Sequence, residues 1–148
     1  MSRVFRYGLY GVGRIGRVHG QIVEEQGHVI AAVGDEVRAA AEEAAQVLNE
    51  PTIPVFDDHR EMIAAEELDA VIISSHTKDH ARDAQPFVEA GIPVYLEKPL
   101  TSDLPEAFDF VETVGADRTL VQIGLQRRFD QALRHAKDLM ADGLNGPV

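Results

Sequence analysis

The sequence predicts an α/β protein, a parallel sheet wound with helices on both faces, on three observations. Short β-branched or aromatic runs alternate with helix-period segments along the whole chain. A G-x-G-x-x-G run stands where the first of these strands gives way to the first helix. A length of 148 residues, with 45% hydrophobic and 26% charged side chains, suits one ordinary domain rather than two.

Taken in order, Val4 to Tyr10 is rich in β-branched and aromatic residues and stops at Gly11. Ile15, Val18 and Ile22 then share one helical face, and Gly27 closes that segment. Val29 to Val33 is a short apolar run of the kind that is buried on both faces of a parallel sheet. Val37, Ala40, Ala41, Ala44 and Leu48 keep helical spacing until Pro51. A weak strand near Ile53 to Phe56 follows, and Asp57 and Asp58 are cap candidates for a short helix holding Met62 and Ile63.

The second half repeats the theme. Ala70 to Ser74 reads as a buried strand, and the helix after it carries Ala81, Ala84 and Val88 and ends at Gly91. Pro93 to Leu96 is the next strand. Leu104, Ala107, Phe108 and Val111 stripe another helix, opened by Thr101 or Ser102 and closed near Gly115. Leu120 to Ile123 is a last strand, and Phe129, Leu133, Ala136 and Met140 mark a final helix ending at Gly143. Strand then helix, six times over, requires right-handed crossovers and a sheet covered on both faces.

Composition excludes several classes of function. The 14 Lys and Arg against 25 Asp and Glu leave a net charge of −11, which repels nucleic acid and anionic membranes. With no Cys, disulfide scaffolds and thiolate-based metal or nucleophile chemistry are ruled out. No apolar run approaches the ~20 residues of a membrane helix. The chain opens directly into strand-like residues with no signal peptide ahead of them, so a soluble cytoplasmic protein is expected.

The fingerprint Gly11-Val12-Gly13-Arg14-Ile15-Gly16 carries the chemistry. Gly11 permits the tight turn, Gly13 admits a pyrophosphate close to the backbone, and Gly16 allows close helix–sheet packing. The helix amino end behind them offers free N–H groups and a partial positive charge to a diphosphate. Asp35, 19 residues after Gly16, stands where a carboxylate hydrogen-bonds the adenosine ribose. It also repels a 2′-phosphate, which favours NAD over NADP, with Glu36 reinforcing this and Arg38 opposing it. A plain glycine turn with Asp35 as a helix cap is the competing reading.

Ligands of open parallel sheets bind outside the carboxyl ends of the strands. After the fourth strand come Ser74, Ser75 and His76, polar groups able to meet ribose, nicotinamide or substrate, with Asp79 read as a helix cap. His76 and His80 have metal-ligand spacing, but no carboxylate arrangement calls for a metal, and none is assigned. After the fifth strand come Glu97 and Lys98. Only three residues are Lys against eleven Arg, and a partly buried Lys can be tuned to exchange a proton with a substrate hydroxyl while hydride moves to nicotinamide. Glu97 orients that ammonium or meets the cofactor. Arg127 and Arg128, after the sixth strand, suit either an anionic ligand or a solvated cluster.

Gly11 to His19, Asp35, the T-x-x-H of Thr77 to His80, E-K-P-L at Glu97 to Leu100 and R-R-F-D at Arg127 to Asp130 together resemble the Gfo/Idh/MocA oxidoreductases, most closely their inositol dehydrogenase branch. The resemblance implies a Rossmann domain over residues 1–126, with 127–148 a linking helix and the start of a substrate domain whose remainder is absent. It implies NAD as cofactor, with Gly11, Val12, Gly13, Arg14, Ile15, Gly16, Asp35, Ser74, Ser75, His76, Glu97 and Lys98 around it. It further implies an inositol-like polyol or sugar as substrate, Lys98 as the catalytic lysine, and a homo-oligomeric full-length form. The family's Asp and His acid/base pair, four residues apart, has no counterpart here: Ile15, Glu24, Val55, Ile72, His76 and Gln131 stand four before the six His. A non-catalytic nucleotide-binding module, or an inactive fragment, is therefore the alternative.

Overall fold

In the computed structural model residues 3–48, 52–117 and 119–142 are described. Pro51 and Gly143, expected as helix stops, and residues 146–148, expected to begin a further domain, lie outside them. The strands are β1 (Arg6–Tyr10), β2 (Val29–Gly34), β3 (Val55–Phe56), β4 (Ala70–Ile73), β5 (Val94–Leu96) and β6 (Val121–Ile123). They form one sheet in the order β3-β2-β1-β4-β5-β6, and every neighbouring pair is parallel. The chain winds outward from β1 to β3, returns to the middle, and winds outward again from β4 to β6. Its switch point is between β1 and β4.

Among the described residues six α-helices, α1 (Arg14–Glu25), α2 (Arg38–Val47), α3 (His59–Ala65), α4 (His80–Glu89), α5 (Leu104–Asp117) and α6 (Gln131–Ala141), follow the strands in turn. On one face, Val23 of α1 and Ala41, Ala44 and Ala45 of α2 pack on Leu9, Ile30, Val33 and Ile72. On the other, Met62 of α3, Ala84, Phe87 and Val88 of α4 and Phe110 of α5 pack on Ala32, Val71, Ile73, Val94 and Leu96. The strands are apolar on both sides because both sides are covered.

Local signals explain several boundaries. Asp58 caps α3, accepting from the backbone N–H groups of Arg60 (2.6 Å) and Glu61 (3.2 Å). Asp130 caps α6 through Leu133 N–H (3.0 Å). Asp79, expected to cap α4, makes no cap bond; its carboxylate turns to the Arg82 guanidinium (3.0 Å) instead. Gly115 does not close α5, which runs through it to Asp117. Two apolar stripes also face outward rather than inward. Ile15, Val18 and Ile22 of α1 are exposed while Gly16, Gly20 and Val23 meet the sheet. Leu104, Phe108 and Val111 of α5 are exposed while Phe110 is buried.

Because all strands are parallel, their carboxyl ends share one rim. Tyr10 is level with Gly34 and Ile73, Ile73 with Leu96, and Leu96 with Ile123. The residues just beyond these ends (Gly11, Asp35, Ser74, Glu97 and Gly124) therefore form a row. No helix of the described residues is long and apolar enough to cross a membrane.

Candidate functional site

The glycine loop is shaped by three different constraints. Gly11 has φ +84°, in the left-handed region, and a Cβ there would collide with the Ser75 backbone. A Cβ at Gly16 would run into the Gly11 carbonyl and sit 2.7 Å from Ser74 Oγ, so helix and strand meet closely there. A Cβ at Gly13 would meet nothing within 4 Å. The fold therefore does not require glycine at 13, and what that position leaves is open space in front of the loop. Gly13 also caps α1 without any side-chain hydrogen bond, so the helix presents its first N–H groups to that space.

A cleft of about 330 Å³ opens at the switch point. Gly11, Gly13, Arg14, Ile15, Asp35, Ser74, Ser75 and His76 line it, all of them singled out in the sequence. Val12 and Gly16 lie behind the lining: Val12 is fully buried and hands its backbone N–H to Asp35 Oδ2 (3.0 Å). Asp35 Oδ1 accepts from Val37 N–H (3.0 Å), so two loops fix the carboxylate at the end of β2. Ser74 Oγ donates to the Gly11 carbonyl (2.6 Å) and locks the turn to β4. Ser75 Oγ is buried with no partner among the described residues and faces the cleft.

Charge in the cleft is already arranged. Arg17 is held by Glu43 (2.9 Å) and the Val12 carbonyl (3.1 Å), whereas Arg14 makes no ion pair among the described residues. Arg38, the group best able to take a 2′-phosphate, is paired with Glu42 (3.3 Å) and lies 3.9 Å from Asp57. Glu36, Asp79 and Asp83 bracket Arg82. Sequence reasoning passed over Tyr10 and Asp83, which also line the cleft. Burial, with Asp83, Glu36, Asp35 and Asp58 nearby, pushes the Tyr10 phenol far above its ordinary value. Asp83 is fully buried with Oδ2 unpartnered; its place among Ala81, Ala84 and Phe87 on the inner face of α4 was the available signal.

Glu97 and Lys98 stand apart from this cleft. Glu97 Oε1 accepts from His19 Nε2 (2.8 Å), and Oε2 accepts the backbone N–H of Lys98 (3.1 Å). Tyr95 packs edge-on against His19, and burial together with the Glu97 carboxylate raises its phenol above the ordinary value. The Lys98–Pro99 peptide is cis. Lys98 itself is exposed and borders a separate groove of about 300 Å³ with Leu125, Gln126, Arg127 and Arg128. The partial burial expected for a tuned lysine is not supplied by the described residues. Both His80 nitrogens are turned to backbone carbonyls, Nδ1 at 2.7 Å from that of Pro99 and Nε2 at 3.1 Å from that of Ser75, and the described residues hold no group of three or more potential ligands around it.

A positive-φ glycine turn, a bare helix amino end and an anchored carboxylate at a switch point define a dinucleotide-binding domain of the Rossmann class. Comparison with known proteins gives its lineage. Residues 5–125 match the oxidoreductase family model GFO_IDH_MocA, NAD-binding Rossmann fold, and the chain belongs to that family. It is 35% identical over 148 residues to inositol 2-dehydrogenase 4 of Saccharopolyspora erythraea, covering 98% of this chain and 43% of that protein. A scyllo-inositol dehydrogenase of Lactobacillus casei, crystallised with NAD(H) and scyllo-inositol, superposes with a TM-score of 0.86 at 28% identity. The myo-inositol dehydrogenase of the same organism, in complex with NAD(H) and myo-inositol, gives 0.89 at 26% identity. Each alignment spans 97% of this chain and 43% of the other. The chain thus spans less than half the length of these relatives.

Proposed function

We propose that this chain is the cofactor half of an NAD-dependent dehydrogenase that moves hydride between a carbinol carbon of an inositol-like polyol or sugar and nicotinamide. The observation that carries this reading is Gly13: a glycine that the fold does not need, facing empty space at the amino end of α1. A diphosphate lying there receives the helix N–H groups. Asp35, held by Val12 and Val37, keeps free lone pairs for the adenosine ribose hydroxyls. NAD is preferred to NADP because Arg38 and Arg82 are engaged by carboxylates and Asp35 faces the 2′ position.

In this reading Ser75 and His76 border the path toward the nicotinamide. Lys98 meets the substrate hydroxyl, holding or accepting its proton as hydride leaves. NAD itself supplies the hydride acceptor. Residues 1–126 form the cofactor unit, and α6, which buries none of its residues, follows it in the chain. A cytoplasmic setting belongs to the same proposal, since nothing in a cysteine-free sequence calls for an oxidising compartment. The exposed Lys98 favours a second reading, in which the chain alone binds nucleotide without turning over.

Calorimetry with NAD and NADP tests the binding reading. Saturable NAD binding is expected, with NADP weaker by about tenfold or more, or about 1.4 kcal/mol. No heat with millimolar NAD or NADH overturns it. Incubation with NAD and inositols, followed by NADH absorbance, separates the two readings: NADH formation supports catalysis by this chain, and binding without it supports the module.

A further inference from the structure

Among the described residues Lys98 has no side-chain partner of its own, yet both residues that flank it are gripped. On its amino side, Glu97 takes a hydrogen bond from His19 (2.8 Å), a pair whose side chains are 19% and 14% exposed. On its carboxyl side, the Pro99 carbonyl takes one from His80 (2.7 Å), a residue only 2% exposed. His19 belongs to α1, one turn past Gly16, and His80 opens α4 on the opposite face of the sheet. The second nitrogen of His80 reaches the carbonyl of Ser75, which lines the cofactor cleft.

Burying an imidazole costs free energy unless its nitrogens are satisfied. An aliphatic side chain would fill either space more cheaply. What the two imidazoles add is direction: each fixes one neighbour of Lys98 to an element that also shapes the cleft. A lysine side chain retains about 2 kcal/mol of rotamer entropy, so where its ammonium dwells depends on how firmly its own backbone is aimed. From this we infer that His19 and His80 are positioning residues for Lys98, a pair of clamps that key the lysine to the dinucleotide cleft. The inference rests on the reading of Lys98 as the residue facing nicotinamide and substrate.

The nitrogens engaged differ, and this supplies the test. Glutamine places a donor near Nε2 of the histidine it replaces, whereas asparagine places one near Nδ1. His19→Gln and His80→Asn therefore keep the bond, and His19→Asn and His80→Gln displace it. The chain holds three lysines, Lys78, Lys98 and Lys137; Lys78 stands between two residues at the cleft, so competitive acetylation with peptide mass analysis gives the Lys98 rate against Lys137 as the internal reference. NADH affinity is read in parallel by fluorescence titration.

In the natural sequence, saturating NADH is expected to slow acetylation of Lys98 relative to Lys137. His19→Gln and His80→Asn retain that protection. His19→Asn and His80→Gln lose about fivefold of it, the scale of one hydrogen bond, while NADH affinity stays within about twofold. Equal protection in the two variants at each position overturns the clamps and leaves the lysine's assignment standing. A fall in protection that only follows a matching fall in NADH affinity marks a merely structural role and overturns them too. NADH binding to the natural sequence without protection of Lys98 overturns the lysine's assignment, and the clamps with it.

Discussion

At the scale of single residues, the three glycines of the fingerprint separate what the fold needs from what a ligand needs. Gly16→Ala forces a methyl against the Gly11 carbonyl and Ser74 Oγ, and overpacking of this kind costs about 1–3 kcal/mol. Gly13→Ala meets nothing, so its stability in urea unfolding should stay within about 0.5 kcal/mol of the natural chain. Its affinity for NAD should nonetheless fall at least about tenfold in calorimetry, because the new methyl occupies the approach of the diphosphate. Spacing alone assigns Gly16 to helix–sheet packing and Gly13 to the diphosphate. What spacing did not reveal was the bond from Ser74 Oγ to the Gly11 carbonyl (2.6 Å), which ties the turn to β4 while Ser74 still lines the cleft.

At the scale of elements, α3 shows how a single carboxylate sets a boundary. Two backbone N–H groups, those of Arg60 and then Glu61, hold the Asp58 carboxyl below its usual range. A folded-state value depressed in this way means that the bonus is present at neutral pH and disappears as pH falls through that value. Asp58→Ala should therefore cost about 1 kcal/mol at pH 7. The difference between variant and natural chain should shrink below about pH 4, where the unfolded aspartate also protonates. Urea unfolding at the two pH values checks this; a gap that is constant with pH would mean the cap acts without its charge. Asp58 was legible as a cap because only a short polar stretch separates β3 from the next apolar periodicity. The outward stripes of α1 and α5 were not. Hydrophobic spacing reports that a helix has an apolar side, but Gly16 and Gly20 bring α1 so close to the sheet that its small residues, not Ile15, Val18 and Ile22, face inward.

At the scale of the whole molecule, a net charge of −11 meets a cofactor that is itself anionic. Long-range repulsion is screened over about 10 Å at 0.1 M salt, while the helix amino end and Arg14 act at contact. Association of NADH should therefore quicken as salt is raised from about 0.01 to 0.3 M, a trend that stopped-flow fluorescence can follow. Slower binding in salt would mean that local attraction outweighs the global field. The parallel doubly wound sheet was readable because strand and helix patterns alternate without interruption. The split between the cofactor cleft and the lysine turn was not, since it depends on which loops fold over the rim and on contacts, such as His80 to Pro99, that join positions 19 residues apart.

The one-sidedness of the sheet divides the molecule into a working margin and a mute one. Each strand starts at the margin opposite the cleft, where exposed turns at Gly27 and Gly91 return the chain from α1 and α4. A reporter loop spliced into either turn would sit a full strand length away from bound nucleotide, and it should alter melting without altering affinity.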